Sequence, residues 1–238
     1  MENAIYAALT RQSGLMREMQ VVANNIANLS TTGFRREGVI FSEYVKRLDD
    51  APSLSMARAS ARNIDLSQGD IVQTGGTFDF AIRGNGFFLI ETPDGERLSR
   101  AGHFTPNAEG DLVNPDGFRL LDAGGAPVAL PPGAMTVSLA QDGTLSADGV
   151  PVAQIGLWAP ADPNSLRHVA GTLFSADAPE PLEDGAGTLL QGHLEGSNIN
   201  PVSEIARMIE VQRAYELGQQ MLDREDQRIR AVLQTLAR

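Results

Sequence analysis

Side chains able to carry out bond chemistry are few and scattered in this sequence. Its three histidines, His103, His168 and His193, lie far apart, and no spacing among them places two on one helix face. There is no cysteine, which removes thiolate metal sites, thiol nucleophiles and a disulfide framework. Asp79 stands between Phe78 and Phe80, an apolar setting for a carboxylate, but period-two alternation sends it to the solvent face of a strand. Gly84-Asn85-Gly86 runs into Phe87-Phe88 with no third glycine and no helix after it, so it reads as a tight turn or bulge rather than a dinucleotide loop. The Asp-Gly pairs at 94–95, 116–117, 142–143 and 148–149 lack the alternating carboxylates of a calcium loop and read as type I′ hairpin turns. No serine occupies a Gly-x-Ser-x-Gly elbow. No catalytic residue, cofactor or metal is therefore expected. The competing enzyme reading, a wall hydrolase with a carboxylate pair, has only the number of acidic residues in its favour.

Two polar clusters stand out instead. Asn24-Asn25-Ile26-Ala27-Asn28 leads into Ser30-Thr31-Thr32-Gly33-Phe34, and Glu195-Gly196-Ser197-Asn198-Ile199-Asn200-Pro201 precedes a long apolar periodicity. Asparagine is a poor choice inside a helix. Its amide both donates and accepts, which suits close packing against backbone where every polar group must be matched.

Charge separates the ends of the chain from its middle. Residues 1–50 carry six basic and six acidic side chains, and residues 195–238 carry six and seven. The middle, 51–194, holds seven basic against 17 acidic side chains and so nearly all of the net charge of −11. An acidic chain without a basic stripe is a poor partner for nucleic acid. No apolar run approaches the roughly 20 residues that span a bilayer, and the opening shows no cleavable secretory signal.

The elements that position the two clusters are legible from periodicity. From about Asn3 to Asn28 there is no proline, and Ile5, Leu9, Gln12, Met16, Met19, Ala23 and Ile26 follow the 4/3 spacing of a helix seam, widened on one side by Leu15 and Val22. That predicts a helix about 39 Å long, ending near Ser30–Gly33. The second helix begins with Asn200 as N-cap, Pro201 at the first helical position and Glu204 in the first turn. Its expected seam runs through Ile205, Met208, Gln212, Tyr215, Gln219, Leu222, Asp226, Ile229, Leu233 and Leu236, over about 55 Å. Residues 66–195 hold seven of the nine phenylalanines, with short alternating runs between turn dipeptides. Glu109–Gly117 and Asp142–Gly149 echo each other and read as two similar hairpins. The expected fold class is α+β: N- and C-terminal helices that pair, with a mainly antiparallel all-β domain inserted between them. The boundaries are 1–45 with 196–238 for the helical domain, 46–65 for an extended connector, and 66–195 for the β domain.

At its two polar clusters the sequence resembles the flagellar rod and hook protein family. The N-terminal signature of that family, Asn-Asn-x-Ala-Asn followed by Thr-x-Gly-Phe, is matched by Asn24 to Asn28 and by Thr32, Gly33 and Phe34. The C-terminal signature is matched by Gly196-Ser197-Asn198-Ile199-Asn200-Pro201, Glu204, Met208-Ile209 and Gln212-Arg213-Ala214-Tyr215-Glu216. Gln68-Gly69, Thr74-Gly75, Phe78–Ile82 with Gly84, Gly86, Phe87 and Phe88, and Arg100-Ala101-Gly102 with Phe104 resemble the start of the β domain in the family. Length and the opening Glu2-Asn3-Ala4-Ile5-Tyr6-Ala7 are most similar to proximal rod members, with the distal rod type as the alternative.

The resemblance implies a structural subunit that leaves the cytoplasm through the flagellar type III export apparatus and stacks helically with other rod subunits in the periplasm, transmitting torque. The terminal helices would form a coiled-coil-like axial layer. The implied assembly interface comprises Asn24, Asn25, Ala27, Asn28, Thr32, Gly33, Phe34, Gly196, Ser197, Asn198, Asn200, Pro201, Glu204, Met208, Ile209, Gln212, Arg213 and Tyr215. Burying a Leu, Ile and Met seam stabilises by about 0.8 kcal/mol per CH₂, while fixing about 60 terminal residues costs on the order of 1–2 kcal/mol each. A monomeric or weakly associated subunit is expected to leave its ends mostly unformed until it polymerises.

Overall fold

The computed structural model describes residues 2–48, 51–183 and 185–236, without the side chains of 1–5, 7, 42–61 and 235–236. It has the expected α+β organisation, a helix at each end and β structure between. The chain divides into two compact units. One comprises 1–27, 37–63 and 200–238, the other 28–36 and 64–199.

The first unit holds α1 (Glu2–Ala27), α2 (Pro201–Leu236) and two paired strands, β1 (Glu37–Leu48) and β2 (Ala51–Ile64). The segment read as an extended connector is thus mostly occupied by β2 and the end of β1. Helix α2 starts as its cap chemistry requires. The Asn200 side chain accepts from the N–H groups of Val202 at 3.0 Å and Ser203 at 3.2 Å, so two of the four donors a helix start leaves open are met.

Helices α1 and α2 run antiparallel. Gln12 donates to the Tyr215 carbonyl at 2.9 Å, Arg207 Nε donates to Glu18 at 2.7 Å, and Asn25 donates to Glu204 at 3.3 Å. The covered stripe on α1 runs through Gln12, Gly14, Leu15, Glu18, Met19, Val21, Val22 and Asn25, and on α2 through Glu204, Met208, Val211, Tyr215, Gly218, Leu222, Glu225 and Ile229. Both seams therefore lie one residue away from the expected ones at alternate positions. Leu9, Met16, Ile205 and Leu233, expected inside, are 43–60% exposed. Leu15 and Val22, which widened the α1 stripe, are the true seam. The reason is physical: each helix has a second apolar face, and hydropathy alone does not say which one pairs. Ile5 and Leu236 lie outside the described side chains.

In the second unit the strands are β3 (Ile71–Gln73), β4 (Phe80–Gly84), β5 (Phe88–Thr92), β6 (Gly95–Ser99), β7 (Thr105–Pro106), β8 (Leu112–Val113) and β9 (Arg119–Leu121). They continue with β10 (Val137–Leu139), β11 (Thr144–Ala147), β12 (Val150–Gln154), β13 (Trp158–Pro160), β14 (Arg167–Ala170), β15 (Leu173–Ser175), β16 (Pro179–Pro181), β17 (Gly187–Gln191) and β18 (His193–Glu195). A seven-stranded sheet has the order β14-β15-β6-β5-β9-β8-β7, and β10-β11-β12 form another. Three pairs, β13-β16, β17-β4 and β18-β3, complete the set, and each of these pairings is antiparallel. Strand β5 is buried on both faces. Phe88 and Ile90 join one core cluster with Phe80, Phe104 and Leu120, while Leu89 joins another with Leu98, Leu121 and Phe174. Period two makes that division.

The turns correct one expectation. Only Asp148-Gly149 has positive φ at both residues, 50° and 80°, as type I′ demands. At the other three Asp-Gly pairs the aspartate keeps negative φ and only glycine enters the left-handed region. The echoed segments 109–117 and 142–149 are each a single strand, β8 or β11, between two turns rather than a hairpin.

Candidate assembly interface

The N-terminal cluster divides into exposed and internal members. Asn24 and Ala27 face solvent on the last turns of α1, whereas Asn25 is fully buried. Its Nδ2 donates to the Glu37 carbonyl at 2.8 Å, and the Glu37 N–H donates to its Oδ1 at 3.0 Å. The side-chain amide thus acts as a strand partner for the first residue of β1. Its second N–H reaches Glu204, also fully buried, in the first turn of α2. One amide holds three elements of this unit together. Asn25 and Glu204 position the unit from inside and show no surface to a neighbour.

Along α2 the signature residues fall into two sets. Met208 and Tyr215 are half-buried in the seam, while Ile209, Gln212 and Arg213 face outward with Asn200 and Pro201. Gln212 donates along the helix to Glu216 at 3.0 Å. Val202, Ile205, Ile209, Leu217 and Met221 are 45–77% exposed and lie away from the α1 side, so this helix carries a second apolar face outside the pair. Tyr6, Leu9 and Met16 do the same for α1. At the seam Arg207 is held above its ordinary pKa: burial works against the cation, and hydrogen bonding and charge from Glu18 outweigh it.

In the other unit, residues 28–36 and 195–199 interlock. Thr31 donates to the Asn28 side chain at 3.0 Å, the Phe34 N–H donates to the Thr31 carbonyl, and Thr32 is half-buried beside them. Gly33 has φ +70°, donates to the Glu195 carbonyl at 2.8 Å, and lies so near the Arg100–Ala101 backbone that a Cβ would collide with it. Phe34 is buried and stacks on His168 at 4.8 Å, and Phe174 also contacts that imidazole, tilted, at 4.2 Å. Asn198 accepts from the Arg36 N–H at 2.7 Å and donates to the carbonyls of Asp65 and Ser67, each at 2.9 Å. Gly69 rather than Gly196 is the constrained glycine of this contact: a Cβ on Gly69 would collide with the Gly196 carbonyl, so these two backbones touch. Ser197 accepts from the Ile199 N–H at 3.4 Å.

Beneath this lies a charged core that sequence reasoning did not single out. Glu195 pairs with Arg35 at 2.8 Å and with Arg100 at 2.9 Å, and all three side chains are at most 2% exposed. Its carboxylate also accepts from the Gly69 N–H at 2.9 Å. Burial pushes Arg100 down to about 10, the attraction of Glu195 only partly offsetting it. Arg35 is lowered for the same reason. The available signal was two arginines and one glutamate inside otherwise apolar or glycine-rich motifs.

Asp79 departs from expectation. It is 8% exposed rather than on the solvent face, because it bridges antiparallel to His103 directly before β4 and its carboxylate lies between Thr74 and that imidazole. Thr74 Oγ1 donates to it at 2.6 Å and His103 Nδ1 lies at 2.6 Å from its other oxygen. Burial alone would raise its pKa, but these bonds and the nearby imidazole bring it below the ordinary value. His193 Nδ1 meets the Gln191 carbonyl, so the three histidines serve three separate places. Among the described residues no helix is long and apolar enough to cross a membrane.

Comparison with known proteins finds three family matches along the chain. Residues 5–35 match the family described as Flagella basal body rod protein, and residues 81–147 match the Flagellar hook protein FlgE/F/G D1 domain. Residues 190–235 match Flagellar basal body rod FlgEFG protein C-terminal. The chain is 37% identical over 245 residues to the flagellar basal-body rod protein FlgF of Caulobacter vibrioides, covering 100% of this chain and 99% of that protein. It is 38% identical over 219 residues to FlgF of Mesorhizobium japonicum, covering 91% and 90%. It is also 31% identical over 255 residues to FlgG of Agrobacterium fabrum, covering 94% and 95%. With both terminal signatures and the β region matched in order, the chain belongs to the flagellar basal-body rod protein family.

Proposed function

We propose that this chain is a structural subunit of the proximal part of the flagellar rod, stacking helically with other rod subunits through its terminal helices to transmit torque. One observation carries the reading. The two terminal helices satisfy each other along one face and keep a second apolar face, Leu9 and Met16 on α1 and Ile205, Ile209, Leu217 and Met221 on α2, uncovered. Exposed apolar surface of that extent on a paired helix marks a contact surface. Identity of 37–38% to proteins named FlgF against 31% to one named FlgG favours the proximal type.

The exposed signature residues Asn24, Ala27, Asn200, Pro201, Ile209, Gln212 and Arg213 then border neighbouring subunits, and the buried ones hold the geometry. Placement in the periplasm after type III export, with the export apparatus as a transient partner, follows from the same reading. So does a non-enzymatic role, and a subunit that is monomeric or weakly associated before assembly.

The test is Ile205→Asp with Ile209→Asp, both on the outer face. The purified double variant keeps its unfolding midpoint, while cells carrying it in place of the native gene lose swimming and yield basal bodies without a completed rod. Normal motility in that strain overturns the assignment of this face.

A further inference from the structure

Within the second unit a cavity of about 260 Å³ is lined by Arg35 and Arg100 together with Leu66, Phe87, Pro160 and Leu182. Both arginines are 2% exposed, and one carboxylate, Glu195, stands within ion-pair distance of the two. Arg100 donates onward to the carbonyls of Gly86 at 2.5 Å and Gly84 at 3.0 Å, and its Nε lies 2.9 Å from Glu195 Oε2 as an ion pair without a hydrogen bond. Arg35 also donates to the Ser67 carbonyl, yet its Nε–H is buried with no acceptor. Asp65 acts on Arg35 only at range, its carboxylate being engaged by the Ser67 N–H at 2.9 Å.

A buried cation in excess and a buried donor without an acceptor are each costly. An added anion relieves both. The apolar walls exclude a fully hydrated ion and accept a short hydrocarbon stem, and guanidinium geometry matches a planar carboxylate. We infer that this cavity is a binding site for a carboxylate on a short hydrocarbon stem, with Arg35 as the principal donor.

The experiment uses the full chain labelled with ¹⁵N, following the arginine Nε–Hε resonances while sodium acetate is titrated at constant ionic strength against sodium chloride. Acetate shifts the Arg35 resonance saturably and chloride does not. Leu66→Trp fills the cavity from a side chain that is 43% exposed, leaves all charged groups in place, and removes the saturable shift while the rest of the spectrum stays folded. The same Arg35 shift on raising protein concentration in acetate-free buffer identifies the carboxylate as that of a second copy. A shift with acetate alone identifies a free acid, and either carries the proposal. No saturable shift with acetate, a shift that survives Leu66→Trp, or tighter binding of inorganic phosphate than of acetate overturns it. The acetate, phosphate and Leu66→Trp outcomes do not depend on whether the chain assembles into a rod.

Discussion

Asn25 and Glu37 exchange two hydrogen bonds, 2.8 Å from the Asn25 amide to the Glu37 carbonyl and 3.0 Å from the Glu37 N–H back to the Asn25 Oδ1. A side-chain amide has the same donor and acceptor pair as a peptide group, so it can close a ladder where the helix has no strand to offer. Because its second N–H reaches Glu204, the first turn of α2 is tied to the last turns of α1 and to β1 by one residue.

Asn25→Asp removes both donors and sets a carboxylate against the Glu37 carbonyl and the Glu204 carboxylate. It is expected to destabilise the helical unit by about 3 kcal/mol, since charged groups left unpaired in a buried site cost more than a lost neutral bond. Urea unfolding followed by far-ultraviolet ellipticity reads the effect. A midpoint equal to that of the native chain would show that the amide does not hold the unit.

Glu195→Ala leaves Arg35 and Arg100 facing each other at 2% exposure with no carboxylate at ion-pair distance, Asp65 acting on Arg35 only at range. The expected loss is about 3–5 kcal/mol, the range for breaking a buried pair from one side. The single tryptophan, Trp158, lies in the same unit and reports the transition by fluorescence. Arg119→Ala, which removes a half-exposed partner of Glu91, serves as the contrast and costs at most about 1 kcal/mol. Equal effects of the two substitutions would refute the idea that burial sets the scale.

The helix boundaries were legible because their causes are local. Asn200 and Pro201 announce α2, and the absence of proline from 2 to 27 permits α1. The phase of the seam was not legible. Gln12, Glu18, Asn25 and Glu204 are buried in it while Leu9, Met16 and Ile205 stay outside, so hydropathy favours the wrong face wherever polar groups are matched across the pair. Arg35 beside Arg36 looks like a solvated doublet. Only pairing with Glu195, 160 residues onward, makes the first of the two a core residue. Residues 51–64 do alternate, Leu54 and Met56 and then Ala57, Ala59 and Ala61 falling between serines and arginines, but the apolar members are mostly small, so the period-two pattern of β2 is easily taken for a polar connector.

Asp79 gives stability a pH signature. Its folded pKa lies below the ordinary 3.8, so between the two values the unfolded chain binds the proton and the folded chain does not. Stability from this group is therefore present above about pH 4 and is lost as pH falls through the folded value. In Asp79→Asn the Trp158 transition midpoint falls less steeply with acidification over that window than in the native chain. An unchanged acid slope would mean that Thr74 and His103 do not favour the carboxylate.

Gly218 lies in the α1–α2 seam, and a Cβ there would meet the side-chain amide of Gln12, which itself donates to the Tyr215 carbonyl at 2.9 Å. Two effects compete when the glycine is replaced. Alanine gains about 1 kcal/mol of helix propensity, but it displaces Gln12 and takes about 1 kcal/mol of hydrogen bonding with it. Gly218→Ala is thus close to neutral. Gly218→Leu adds no further propensity and forces the helices apart, at about 1–3 kcal/mol. The order native ≈ Ala > Leu in thermal unfolding followed by ellipticity is the expected result. Leucine as stable as alanine would show that the helices do not touch at Gly218, and that the close approach through Gln12 does not set their spacing.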